Sequence, residues 1–175
     1  WDLVENRETR FEQDIETSLT QLGGWEKESF QDSHYEESVG IDVDKLISFI
    51  EKTQPKQWER YLTIHQGDAK RKLTKRFDEE VIAHGMLHVL RNGIRDRGVT
   101  LKVAFFRPVS GLNEELQEKY EANQFNCIRQ FAYSPDNHKT LDMVLSVNGI
   151  PLVALELKNQ YTGQSVENAL VQFQQ

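Results

Sequence analysis

The stretch LDMVLSVNGIPLVALELKN, residues 141–159, constrains this chain more than any other part of it. Two apolar runs of strand length flank Asn148-Gly149, a dipeptide that favours a tight antiparallel turn, so the sequence predicts a β-hairpin. Charges stand inside these runs. Asp142 lies among Leu141, Met143, Val144 and Leu145, while Glu156 and Lys158 are flanked by Leu155 and Leu157. A strand apolar on both faces is ordinarily buried. Two carboxylates and an ammonium in such strands are costly unless they are paired or hold a metal. The competing reading is an edge strand with a partly exposed surface Glu-Lys pair.

Side chains alternate along a strand, so Glu156 and Lys158 share a side. A two-residue Asn-Gly loop, which the dipeptide alone favours, pairs Val147 with Ile150 and Asp142 with Leu155, leaving Asp142 facing away from Glu156. A three-residue loop over residues 147–149, with Gly149 left-handed, instead sets Asp142 opposite Ala154 and makes Glu156 its diagonal neighbour at roughly 7–8 Å. The odd-length loop, or an equivalent bulge, is therefore the expectation. Two carboxylates so spaced can share a divalent ion. Mg²⁺ held by oxygen ligands neutralises charge on a phosphodiester and makes a hydroxide-like nucleophile near neutral pH. Lys158 would orient the attacking water and stabilise charge on the phosphate, and the Leu157 carbonyl would be a further ligand. An Asp, a gap and Glu-x-Lys recur by chance, so the strand context carries this reading.

Upstream, Phe11, Ile15, Ser18, Leu19 and Leu22 fall at helical spacing within residues 5–22, and Gly23-Gly24 ends that run. Residues 25–40 are polar and aperiodic and read as loop with room for one short strand. Asp42 caps a helix carrying Val43, Leu46, Ile47, Phe49 and Ile50, and Pro55 opens another through Trp58, Tyr61, Leu62 and Ile64. Asp68 starts a long helix to Arg91, ended by Asn92-Gly93. TLKVAFF then reads as a strand and residues 113–122 as a short helix. The runs FNCIRQFAY, TLDMVLSV and PLVALELK read as strands, and residues 164–175 as a final helix. The result is an α/β fold: a small mixed sheet flanked by helices, with extra N-terminal helices, in a single domain over residues 1–175.

A net charge of −7 argues against a general DNA-coating protein. It leaves room for a nuclease, whose metal-binding carboxylates are offset by their cation, with most of the grip on DNA supplied elsewhere. The single cysteine, Cys127, fits a reducing, cytoplasmic compartment. No run has the roughly 18 apolar residues needed to span a membrane, and no signal peptide is evident. The chain begins at Trp1 and stops within a helical pattern, so it reads as a piece of something longer.

Asp142, Glu156 and Lys158 resemble the catalytic triad of the PD-(D/E)xK nucleases, which place such residues on a hairpin in a restriction-endonuclease-like core. A narrower resemblance covers most of the chain. FEQDIETSLTQLGGW, TQPKQWE, LRNGIRDRGVTLKVAFFRPVSGLN, NQFNCIRQFAYSPDNHKTLDMVL and ELKN followed by TGQSVENALVQ look, in this order, like the N-terminal nuclease region of the restriction (motor) subunit of type I restriction-modification enzymes. That resemblance implies a Mg²⁺-dependent endonuclease acting on duplex DNA within an ATP-dependent translocating complex. Its partners would be modification and specificity subunits, and ATP would bind in ATPase and translocase domains absent from this sequence. Gln172 matches the glutamine of a Gln-x-x-x-Tyr element whose tyrosine falls past Gln175. Glu12, or less readily Glu16, is similar in position to a first-helix acid that assists the metal; either also reads as a solvated helix-face glutamate.

Other signals weigh less. Asp136, in SPDN, reads as a turn residue. His84 and His88 are four apart on one helix face but lack the glutamate of a zinc protease motif, so ordinary helix residues are expected. The basic run KRKLTKR, residues 70–76, together with Arg91, Arg95 and Arg97, fits either phosphate contact or a solvated face, and the latter is favoured. A stand-alone repair or defence nuclease, or a catalytically silent DNA-binding or assembly module of the same fold, are the alternatives.

Overall fold

The computed structural model of the protein describes residues 2–36, 38–109, 113–132 and 139–157, the side chains of residues 2–8 and 32 excepted. In chain order the elements are α1 (Asp2–Leu22), β1 (Glu26–Ser29), a 3-10 turn (Phe30–Asp32), β2 (Tyr35–Glu36), β3 (Ile41–Asp42), α2 (Val43–Thr53), α3 (Pro55–His65), α4 (Ala69–His84), α5 (Met86–Asn92), β4 (Ile94–Asp96), β5 (Val99–Leu101), α6 (Glu114–Glu121), β6 (Phe125–Ala132), β7 (Thr140–Val147) and β8 (Ile150–Leu155). The fold class is α/β. Two compact units alternate along the sequence. The first draws its described residues from Trp1–Asp32, Asn126–Ser146 and Pro151–Gln175, the second from Ser33–Phe125 and Val147–Ile150.

The first unit is built on a four-stranded mixed sheet in the order β1-β6-β7-β8. β1 runs parallel to β6, from Glu26 opposite Asn126 to Ser29 opposite Arg129. The parallel sense follows from the long crossover between these strands, whereas a two-residue connection between β7 and β8 can join only antiparallel neighbours. Cys127, Ile128, Phe131, Met143 and Val144 are buried in this unit, and Phe30 meets Phe131 edge-on with ring centroids 4.9 Å apart. β1 is a short strand of the kind for which residues 25–40 left room, and β2 is a second. The sequence of β1, EKES, has no apolar alternation to announce a strand.

Helix α1 forms where its periodicity predicts it, but it buries an unexpected face. Phe11 is 52% exposed and Leu22 86%, while Glu12 and Glu16 are buried. The acids go inward because cations wait for them. Glu16 pairs with Lys27 of β1 at 2.9 Å, and Glu12 with Arg129 of β6 at 2.9 Å.

The second unit holds the larger core, formed by Ile41, Leu46, Phe49, Ile50, Tyr61, Leu73, Phe77, Val99, Leu101 and their neighbours. Asp42 caps α2 as expected: Oδ1 accepts the Lys45 N–H and Oδ2 the His34 N–H, both at 3.1 Å. Pro55 opens α3, where its missing N–H costs nothing. The long helix expected from Asp68 to Arg91 is two helices. Gly85, at φ 84°, leaves the helical conformation between α4 and α5. The strand expected over TLKVAFF is shorter. Val99–Leu101 pairs antiparallel with Ile94–Asp96 through Arg97 and Gly98, both at positive φ, and the Gln54 side chain then holds Lys102, accepting its N–H at 2.7 Å and donating to its carbonyl at 2.8 Å.

Candidate active site

β7 ends at Val147 and β8 begins at Ile150, so the hairpin turns on two residues, Asn148 (φ 50°) and Gly149 (φ 80°). Positive φ at both positions is the type I′ pattern, whose twist matches that of paired strands. The three-residue loop is therefore corrected to the shorter turn. Asn-Gly favours this turn locally, and tertiary contacts hold it. Asn148 is fully buried; its Oδ1 accepts the Gln124 N–H at 2.8 Å, and its Nδ2 donates to the Val103 carbonyl at 2.9 Å and to Asn123 Oδ1 at 3.0 Å. Its own N–H donates to the Gln124 carbonyl, and the Asp42 N–H to the Gly149 carbonyl. A Cβ on Gly149 would lie 2.4 Å from the Asp42 carbonyl oxygen, so only glycine fits there.

The two-residue turn sets Asp142 opposite Leu155, the register that was expected to separate Asp142 from Glu156. β8, however, stops at Leu155, and the two residues after it are free of strand alternation. The Leu157 N–H donates to Asp142 Oδ2 at 2.5 Å. The Asp142 carboxylate therefore lies against the peptide that joins Glu156 to Leu157, without any change of loop length. Asp142, Glu156 and Leu157 are each partly exposed. Leu152, at 40%, and Val153, at 44%, are exposed, because β8 is an outer strand among the described residues. Full burial on both faces, the premise from which the charged residues were singled out, does not hold for β8. What distinguishes Asp142 is its contact.

Glu12 carries more partners than a solvated glutamate would. Arg129 donates to Glu12 Oε2 through Nε at 3.2 Å and Nη2 at 2.9 Å, and Gln130 Nε2 reaches Oε1 at 3.1 Å and Oε2 at 3.3 Å. Arg129 Nη1 also lies 3.9 Å from Glu16. Arg129 and Gln130 were not singled out in the sequence. An Arg-Gln pair inside the apolar run FNCIRQFAY was the available signal.

Lys158 and Gln172, the expected ammonium and accompanying amide, lie outside the described residues, as do Asp136 and residues 164–175. His84 and His88 do not share one continuous helix, since α4 ends at His84 and α5 begins at Met86; both are exposed, with rings 4.8 Å apart. In the basic run Lys70 pairs with Asp44, Arg71 with Asp68, and Arg76 with Glu79 and Glu80, while Arg76 Nε donates to the Arg95 carbonyl. These pairs are what a solvated helix face presents. No three acidic, histidine or cysteine side chains gather in a metal-holding cluster among the described residues.

A family profile described as "Type I restriction enzyme R protein N terminus" matches residues 6–175. The chain belongs to this family. No curated protein and no solved structure gives a match. Membership ties the chain to a restriction system, and the match spans α1, the four-stranded sheet, the second unit and the hairpin bearing Asp142 and Glu156. This chain is thus an α/β member of the family with a four-stranded mixed sheet, compatible with a restriction-endonuclease-like core. Among the described residues no helix is long and apolar enough to cross a membrane.

Proposed function

We propose that this chain is the Mg²⁺-dependent endonuclease part of a type I restriction enzyme R protein, hydrolysing phosphodiester bonds in duplex DNA. The observation that carries the reading is the hydrogen bond from the Leu157 N–H to the Asp142 carboxylate, which joins one acid to the backbone beside the other. The donor set fits the ion. The carboxylates of Asp142 and Glu156 and the Leu157 carbonyl are hard oxygen ligands, and Mg²⁺ keeps several waters beside one or two carboxylates, so no larger protein cage is required. Bound there, Mg²⁺ supplies charge neutralisation and lowers the pKa of water. Asp142, with one oxygen fixed by Leu157, is pre-oriented and does not reorganise on binding. Lys158 orients the attacking water and offsets charge developing on the phosphate. Gln172 accompanies this set, as the family resemblance implies. DNA delivery, ATP-driven translocation, and the modification and specificity subunits belong to the rest of the complex, in keeping with the chain's net charge of −7.

The test uses the full R protein with its partner subunits. Lys158→Ala and Glu156→Ala should abolish cutting of duplex DNA while ATP hydrolysis continues. Cutting at the normal rate by either variant would sink the site assignment and favour a silent assembly module.

A further inference from the structure

Gln130 lies within β6, yet its φ is 49°. A residue with a side chain rarely holds that conformation, and within a strand it interrupts the alternation that sends successive side chains to opposite faces. The consequence is visible at Glu12, where Arg129 and Gln130, neighbours in sequence, both reach one carboxylate. Gln130 also faces the other way along its amide. Its Oε1 accepts a long hydrogen bond from Thr140 Oγ1, 3.3 Å between two exposed residues. Thr140 is the first residue of β7 and stands two residues before Asp142. One amide thus joins α1 to the strand that carries the proposed metal-binding acid.

We infer that Gln130 is a positioning residue, tying Glu12 to the start of β7 and so setting the place of Asp142, with Glu12 the anchor of this tie. Glu12 is buried, with Oε2 accepting from Arg129 and Oε1 from Gln130. Through this contact Glu12 acts on the site by way of Gln130 and the backbone of β7. The strained backbone at Gln130 fits this role: a conformation that is otherwise unfavourable persists where surrounding contacts determine it. The inference rests on the proposed nuclease site.

Gln130→Gly keeps the left-handed backbone accessible and removes the whole side chain, its amide included. In the full complex, the Mg²⁺ concentration giving half-maximal cutting should rise, by less than the roughly 10–100-fold that follows loss of a group bonded to the ligand itself, because Gln130 meets Thr140 and not Asp142. Excess Mg²⁺ should restore cutting, and ATP hydrolysis should be unchanged. In the metal-free full-length protein, backbone amide exchange across residues 140–157 should become several-fold faster, with exchange across α2 and α3 unchanged. Wild-type Mg²⁺ dependence together with wild-type exchange overturns the inference. So does a loss of cutting that no Mg²⁺ concentration restores with exchange accelerated throughout the chain, because that marks a general folding role. Glu156→Ala separates the two proposals. If that variant still cuts DNA, the nuclease reading fails, while the exchange measurement continues to decide whether Gln130 holds β7.

Discussion

Replacing Asn148 tests whether the hairpin is held by its buried turn side chain or merely by the local preference of Asn-Gly. Asn148→Gly keeps the positive φ and deletes the side chain. It leaves the Gln124 N–H and the Val103 carbonyl without their Asn148 partners, whereas Asn123 Oδ1 still accepts the Phe105 N–H at 3.2 Å. The Val103 carbonyl is buried, whereas the Gln124 N–H belongs to an exposed residue and can turn to water, so a loss of about 1–3 kcal/mol is expected. Against a total stability of about 5–15 kcal/mol for a domain, this is large enough to shift a urea midpoint well beyond error. Asn148→Ala deletes the same bonds and must also place a Cβ at φ 50°. The left-handed conformation costs an alanine about 1–2 kcal/mol, partly offset by its smaller unfolded-state entropy, so it should be less stable than the glycine variant by up to about 1 kcal/mol. Urea unfolding followed by circular dichroism measures both. If the glycine variant lost less than about 1 kcal/mol, the hydrogen bonds would not be what holds the turn. If alanine proved the more stable of the two, the positive-φ argument would fail.

Two further outcomes follow from the same geometry. Asp142→Asn keeps an acceptor for the Leu157 N–H and should change stability by less than about 1 kcal/mol while abolishing cutting; Asp142→Ala should abolish cutting and also lose about 1–2 kcal/mol. Equal thermal stability of the two variants would mean that the Leu157 contact does nothing for the fold. At alkaline pH, the Cys127 thiol is pushed up to about 11, first by burial and then by the nearby Glu16 charge, and the Tyr61 hydroxyl is raised by burial and by Asp96. Both groups stay protonated in the folded chain at pH values where the unfolded chain releases the proton. Their contribution is therefore fully present below the ordinary pKa values and declines as pH rises through them. Cys127→Ala should make the fall in stability between the ordinary thiol value of 9.0 and about 11 shallower by at most ~3 kcal/mol. Urea melts at the two ends of that range compare the variants, and parallel curves would refute the burial argument.

Where pattern and local chemistry agree, the sequence was sufficient. Apolar spacing located α1 and α2, Asp42 and Pro55 marked helix starts, and the apolar runs around Asn148-Gly149 located the hairpin. Asp142 and Glu156 stood out as charges in otherwise apolar runs; Asp142 lies within β7, while β8 ends one residue before Glu156. The parts that were not legible depend on partners distant in the chain. β1 is polar and becomes a strand by pairing with β6, a hundred residues away in sequence. Gly85 could have been accommodated within one helix, and its φ of 84° shows that it breaks the helix instead.

The sequence by itself thus determined the fold class, the hairpin and the residues that carry its charges, because periodicity and turn chemistry act over a few residues. Only the tertiary structure decided what Asp142 and Glu12 touch. The buried contacts of Asn148 reinforce the two-residue turn that Asn-Gly favours, and β8 ends at Leu155, before the Leu157 amide that reaches Asp142. The inward turn of Glu12 toward Arg129 and Gln130 was likewise a tertiary choice. A buried polar group takes the partner that satisfies it, and such partners come from elsewhere in the chain.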